Sequence, residues 1–492
     1  MDNQAARIVI AALRGGAGKT TVSVALAAAL CEEGMAVVPF KKGPDYIDAA
    51  WLSLAAGTPC YNLDAFIMGS EQVTRCFSRH TRDGSIAIIE GNRGLFDGMN
   101  VEGEFSTAEL AKLLHAPVVL VVDCDKVTRT AAAMVLGCCH LDADLDIRGV
   151  ILSRVSGKRH ANVIRQSVEE YCNLPVLGTI PRLPDMPLCE RHLGLVPPQE
   201  HGSIMTAIDG IRGIARDFLD LDGLIRIARS APAWTIDVFP HKPAAVESGL
   251  DPVRVGVIRD RAFQFYYHDN LEALTDAGAD IIFINALDDR ELPVIDCLYI
   301  GGGFPETQAK ALSENVGFRD SVKRATENGL PIYAECGGLM YLGETLTVGD
   351  LIYPMVGALP VSFAMERRPQ GHGYTVVEVD RQNPFFPVGT RLRGHEFHYS
   401  RLIGRPGEGC ETVYNIIRGT GMGGGRDGII HKNILAGFIH LHALGAPKWA
   451  SGMLAAGRRW KAEQSFHSCQ HETLMQIVIP NVCEVLLGDS EY

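Results

Sequence analysis

The 492-residue chain lacks any clustered run of Lys and Arg, and its net charge is -12. Phosphate backbones are bound chiefly through such clusters, so the reading excludes a nucleic-acid partner while leaving room for a local basic pocket. Long apolar runs are missing too. None reaches the roughly 18 residues that cross a bilayer, and Ala116–Val122 is only of strand length. The opening MDNQAARIVIAAL lacks a basic segment followed by an apolar stretch and a small-residue cleavage site. A cytoplasmic location with no membrane role is therefore expected. The 13 cysteines are odd in number and have no compact spacing. That argues against a disulfide scaffold and predicts reduced thiols, most of them small buried hydrophobes. Internal repeats and low-complexity tracts are also absent.

What is there describes a folded chain. Apolar residues make up 47% and charged residues 21%, and the length exceeds what one ordinary core fills, so two large domains are expected. Short Val- and Ile-rich runs recur at Arg7–Ala12, Ala36–Phe40, Ile86–Glu90, Val118–Asp123, Gly149–Leu152 and Val176–Ile180, with helical stretches between them. This alternation predicts an α/β domain with a mostly parallel sheet and flanking helices. The proline-punctuated stretch Ser230–Pro252 breaks the periodicity and reads as a linker. A second α/β series starts at Arg254, and from about residue 353 it gives way to Gly- and Pro-punctuated strands that suggest added antiparallel pairing. The domain reading is 1–240, linker 241–252, a second domain 253–460 and a tail 461–492.

The first strand runs into Leu13-Arg14-Gly15-Gly16-Ala17-Gly18-Lys19-Thr20-Thr21 and then an Ala- and Leu-rich helix. Glycines let successive N–H groups point inward, the helix N-terminus adds positive potential, Lys19 supplies a cation and Thr20 a metal-ligating hydroxyl. Gly15, Gly16, Gly18, Lys19, Thr20 and Thr21 are thus the predicted nucleotide-binding residues. Asp45 and Glu90, each following a strand, are the candidate hard oxygen ligands for Mg²⁺. Asp48 and Asp97 are either part of this site or simple turn residues.

The stretch Pro331-Ile332-Tyr333-Ala334-Glu335-Cys336-Gly337-Gly338 reads as a strand, a tight turn and a helix with a thiol at the apex. Such an elbow exposes the nucleophile, sets it near a helix N-terminus that favours thiolate, and leaves the Gly337 N–H for an oxyanion. The glycine triplet ending in Gly303 offers further N–H groups, and a later strand ends in His440 and His442. His440 is the favoured base, with His442 as the alternative or a structural residue.

These motifs together resemble a P-loop domain of the dethiobiotin-synthetase-like group joined to a class I glutamine amidotransferase domain. The phrases FKKGPDYIDAAW, STAELAKLL, ERHLGLVP, YYHDNLEAL, YIGGGFPE, YAECGGLMYL, RGHEFHYSRL and FIHLHAL, spread from about residue 7 to 450, are similar to the cobyrinate a,c-diamide synthase family. Cobyric acid synthases share the two-domain plan but resemble a His-Gly pair at the late motif, and rank second.

The resemblance implies an ATP- and glutamine-dependent ligase for an acidic tetrapyrrole: cobyrinate, hydrogenobyrinate or nickel sirohydrochlorin. It also allows a homodimer. Lys19, Thr20, Asp45 and Glu90 would hold ATP and Mg²⁺, Lys41 would face the transferring phosphate, and Tyr46, Asp48 and Asp97 would lie at the acceptor carboxylate. Cys336 and His440 carry over as nucleophile and base, with Gly303 and Gly337 at the oxyanion. The glutamate that the class I triad normally has two residues past the histidine is His442 here, which leaves a Cys–His pair. Ser153 stands where the family has Asn near the adenine, so strict preference for ATP is not implied. Cys469 and His471 in the tail match no family pattern. Two other classes fit parts of the chain: a nucleotide-switched scaffold of the MinD and ParA type, which has no use for a cysteine elbow, and a corrinoid-binding protein that has lost catalysis.

Overall fold

In the first strand, β1 (Ala6–Ala12), every residue from Arg7 onward is buried. A strand without polar alternation must be covered on both faces, as parallel strands with crossover helices are. The computed structural model, which describes residues 5–183, 190–191, 194–233, 251–404 and 406–465, shows this arrangement. Strands β2 (Val37–Lys42), β3 (Tyr61–Leu63), β4 (Ile86–Glu90), β5 (Val118–Asp123), β6 (Ile147–Val155) and β7 (Val176–Pro181) complete a seven-stranded sheet in the order β3-β2-β4-β1-β5-β6-β7. All its pairings are parallel. Helix α1 (Lys19–Glu32) is apolar nearly all round and buried along Val22–Leu30. It packs against α2 (Ile47–Ala56) and the helix Ile204–Phe218. Trp51 of α2 is fully buried and satisfies its indole by donating to the Val196 carbonyl at 2.9 Å.

Strand order decides what meets at the sheet's carboxyl edge. Because β4 lies between β1 and β2, Glu90 is the register partner of both Ile10 and Lys41. The glycine loop after β1 and the strand ends carrying Lys41 and Glu90 therefore share one crevice, where ligands bind in open α/β sheets.

The chain divides into two compact units, residues 1–241 with 265–269, and residues 242–264 with 270–492. The second unit holds a ten-stranded mixed sheet. Its parallel part comprises β8 (Val253–Ile258), β9 (Ala279–Ile284), β10 (Cys297–Ile300) and β11 (Ile332–Glu335). Antiparallel strands extend it: β12 (Gly371–Val379), β13 (Arg391–His398), β14 (Glu411–Arg418), β15 (Arg426–His431), β16 (Ile434–Gly437) and β17 (His440–Leu441). The order is β9-β8-β10-β11-β16-β15-β14-β12-β13-β17, with β16 parallel to β11. Most of the proposed linker, and the tail bearing Cys469 and His471, lie outside the described residues. No helix among those residues is long and apolar enough to cross a membrane.

Candidate functional site

The phosphate loop is built by its glycines. Gly16 and Gly18 adopt φ of 69° and 100°, which L side chains resist, and Gly18 caps α1. Lys19 Nζ donates to the Arg93 carbonyl at 2.8 Å, and burial together with the neighbouring Lys41 charge lowers its pKa. A cavity of about 540 Å³ opens beside the loop, lined by Gly16, Gly18, Lys19, Thr20 and Thr21 and, further on, by Ser153, Arg154, Pro181 and Arg182. The loop opens, at Gly15, onto space with no neighbouring side chain or backbone within 4 Å of an added Cβ. Ser153 donates from Oγ to the Ala17 carbonyl at 2.8 Å, tying β6 to the loop. Arg14 pairs with Asp123 at 2.5 Å.

Beside the loop, five predicted residues, Thr20, Lys41, Asp45, Asp48 and Glu90, form one cluster. Thr20 donates to Glu90 Oε1 at 2.6 Å and approaches Asp48 Oδ2 at 3.3 Å. Lys41 Nζ lies 2.6 Å from Asp48, 2.8 Å from Glu90 and 3.9 Å from Asp45. Burial alone would lower the Lys41 pKa, but Asp48, Glu90 and Asp45 hold it well above its ordinary value, so it stays cationic. Burial and the Asp48 charge push Asp45 up to about 7, and burial with Asp48 likewise raises Glu90. For Asp48 burial works the other way from its partners, and Lys41 wins, holding it low. Three carboxylates against one ammonium leave negative charge to spare. Glu90 Oε2 is buried with no hydrogen-bond partner among the described residues. An all-oxygen set of Thr20, Asp45, Asp48 and Glu90 with an unspent buried oxygen fits a hard divalent cation such as Mg²⁺.

Two further predicted residues sit at the margin. The Asp97 carboxylate accepts from the Gly94 N–H at 2.8 Å, closing a turn, while its charge is felt at Lys19. The Tyr46 ring stacks on Phe265 at 5.0 Å, a residue of the same unit.

In the second unit Cys336 follows β11 and precedes the short helix α3 (Gly337–Leu342). Its φ of 47° with ψ of -97° is a strained conformation for a non-glycine residue, at the apex of the expected strand-to-helix elbow. The Cys336 N–H donates to the Gly437 carbonyl of β16 at 2.7 Å. A Cβ added to Gly337 would stand 3.1 Å from the Gly303 N, so the two expected oxyanion donors are neighbours. Small size is obligatory at Gly303, where a Cβ would lie 2.0 Å from the Ala262 carbonyl oxygen.

One expectation is corrected. The thiol is not poised as thiolate: burial pushes the Cys336 pKa far up, the Glu306 and Glu335 charges push it further, and the single Gly337 N–H does not offset them. A base is needed.

His440, on β17, is buried and stacks on His395 of β13 at 4.8 Å. Its Nδ1 lies 3.3 Å from Glu335 Oε2. Glu335 has one signal in the sequence: an acidic residue at a position otherwise apolar, directly before Cys336. His442 takes a different part, its Nδ1 accepting from the Leu444 N–H at 3.2 Å in the turn that follows.

Comparison with known proteins places both halves. Residues 8–193 match the CobQ/CobB/MinD/ParA nucleotide binding domain, and residues 254–448 match the CobB/CobQ-like glutamine amidotransferase domain. A protein of Magnetococcus marinus named cobyrinate a,c-diamide synthase is 43% identical over 465 residues, covering 94% of this chain and 98% of the relative. Proteins of the same name from Methanosarcina acetivorans and Archaeoglobus fulgidus are 39% and 41% identical, over 93% and 89% of this chain and 97% and 94% of their own length. A MinD-type scaffold accounts for none of the second half. The chain belongs to the cobyrinate a,c-diamide synthase family and is a glutamine-hydrolysing carbon–nitrogen ligase.

Proposed function

We propose that this enzyme converts the a and c carboxylates of cobyrinate to amides, using one ATP and one glutamine for each. The observation that carries the reading is the Cys336 elbow with Gly303 and Gly337 beside it, on a chain whose other unit holds a phosphate loop. A carboxylate is a poor acceptor for an amine because its charge and resonance oppose attack, so it must be activated. The substrate carboxylate attacks the γ-phosphate of ATP, the β–γ bridge breaks to release ADP, and an acyl phosphate results. Lys19 and Lys41 offset charge on the phosphoryl oxygens as it passes. Thr20, Asp45 and Glu90, with Asp48 beside them, would hold Mg²⁺, which supplies further charge neutralisation at the phosphates. Tyr46, Asp48 and Asp97 border the acceptor.

Ammonia then attacks the acyl carbon and phosphate leaves. That ammonia comes from glutamine: His440 takes the Cys336 proton as sulfur attacks the side-chain carbonyl carbon, and the oxyanion is held by the Gly303 and Gly337 N–H groups. The imidazolium protonates the departing ammonia, and water hydrolyses the thioester to glutamate.

Incubation with cobyrinate, ATP and glutamine, followed by mass analysis, should show two acid-to-amide conversions. Cys336→Ala should abolish glutamine-driven amidation while high ammonium still supports it, and Lys19→Ala should abolish both. Glutamine-driven turnover by the alanine variant would remove Cys336 as nucleophile.

A further inference from the structure

Glu335 Oε2 is 3.3 Å from His440 Nδ1, and Oε1 accepts the Leu441 N–H at 3.1 Å. The Tyr333 hydroxyl donates to Oε1 at 3.2 Å and the Tyr299 hydroxyl to Oε2 at 3.4 Å. The carboxylate is 1% exposed. Its partners among the described residues are therefore a backbone amide, two phenols and one imidazole, with no Lys or Arg. A buried carboxylate is costly unless a countercharge or several donors compensate it. Here the one neighbour able to become a cation is the base of the glutaminase.

The other buried acids near by are engaged elsewhere. Asp427 accepts from the Phe438 and Ile439 N–H groups at 3.1 Å. Glu396 accepts from Thr420 and Gly421 and faces His398. His442 is turned to the Leu444 amide.

We propose that Glu335 is the positioning residue of the glutaminase, taking the part that the residue two past the histidine plays in triad enzymes. The proposal rests on the glutaminase reading above. Accepting the Nδ1–H fixes the tautomer that leaves Nε2 basic, and the negative charge stabilises the imidazolium formed when Cys336 gives up its proton. The Glu335 oxygens are engaged by the Leu441 amide, the two phenols and the imidazole, so Glu335 acts on the thiol through His440. Two tyrosine hydroxyls share the carboxylate's charge and tune how much reaches the imidazole. One face of the His440 ring carries His395, whose pKa is held well below its ordinary value by burial and by the charges of His440, His372 and His442. On the Cys336 side the charged groups are Glu306 and Asp427.

The test measures glutamate release and ammonium-driven amidation across pH in the full-length enzyme. Glu335→Gln should lower glutamine-dependent kcat by roughly 100- to 1,000-fold with KM for glutamine changed less than about threefold. Its ammonium-driven rate should equal that of the wild type. The acidic limb of glutaminase kcat/KM should move to lower pH, because the imidazolium loses its countercharge, and Glu335→Asp should restore part of the rate. Equal loss with both nitrogen donors, or an unmoved limb, would overturn the proposal in favour of a packing role. Tyr333→Phe is the second variant, suited to the case in which the glutamine variant fails to fold. Removing one donor leaves more charge on His440, so its acidic limb should move to higher pH, and no movement overturns the proposal. Cys336→Ala separates the readings. Glutaminase activity surviving in Cys336→Ala sinks the glutaminase assignment itself, whereas its loss there, with Glu335→Gln behaving as wild type, sinks only the role of Glu335.

Discussion

Lys41 and Glu90 are register partners on adjacent parallel strands, and the Lys41 ammonium stands 2.8 Å from Glu90 Oε1 with both side chains buried. Sheet pairing alone sets them side by side, and the loop hydroxyl of Thr20 reaches the same oxygen at 2.6 Å. Removing one partner of a buried pair leaves an uncompensated charge, which costs about 3 to 5 kcal/mol. Lys41→Met should therefore lower stability by about that much in urea unfolding and abolish amidation with glutamine and with ammonium alike. Wild-type stability in this variant would mean that Lys41 does not balance the carboxylates.

Ser153 ties β6 to the phosphate loop through the Ala17 carbonyl. Ser153→Ala removes one neutral hydrogen bond, worth about 0.5 to 1.5 kcal/mol. If that energy holds the loop in its binding shape, KM for ATP should rise about 2- to 10-fold in ammonium-driven assays. The kcat should change little, since Ser153 touches the loop and not Lys41 or Glu90. A fall in kcat at unchanged KM would place the residue in the chemistry instead.

The phosphate loop, the strand ends and the cysteine elbow were legible because each is a local pattern. Strand, glycines and helix follow one another along the chain at Ala12–Thr21 and again at Tyr333–Gly338. The antiparallel additions were legible from the Gly- and Pro-punctuated strands that begin near residue 353. What escaped depends on pairing between distant segments. The strand Tyr61–Leu63 is three residues long and shows no periodicity of its own. Glu335 gains its partners only because β10 brings Tyr299 alongside and β17 brings His440 and Leu441. The thiolate expectation failed for a related reason: the helix N-terminus is local, but the burial and the Glu306 charge that outweigh it are not.

The same shift sets the pH dependence of chemical labelling. A thiol whose pKa is pushed far above its ordinary value is protonated at pH 7, and its thiolate fraction grows about tenfold for each pH unit below that pKa. Alkylation of Cys336 by iodoacetamide in the free enzyme should thus be slow at pH 7 and rise log-linearly to pH 9 with no plateau. Peptide mass analysis would follow Cys336 separately from the other cysteines. A plateau between pH 6 and 8 would show a thiolate already formed and would remove the need for His440 as base.

Gly303 offers the sharpest separation of the two half-reactions. A Cβ there would sit 2.0 Å from the Ala262 carbonyl oxygen, a distance no side-chain carbon tolerates, so the Gly302–Gly303 strand must move in Gly303→Ala. Its N–H, next to Gly337, would then no longer point at the oxyanion. Loss of one such donor costs roughly 100- to 1,000-fold in rate. Glutamate release should fall by that factor while ammonium-driven amidation, which in the proposed mechanism does not need the oxyanion donors, proceeds at the wild-type rate. Circular dichroism and the preserved ammonium activity would show that the chain still folds. Should glutamate release persist near the wild-type level, the Gly303 amide is not an oxyanion donor, and that duty passes to Gly337 alone.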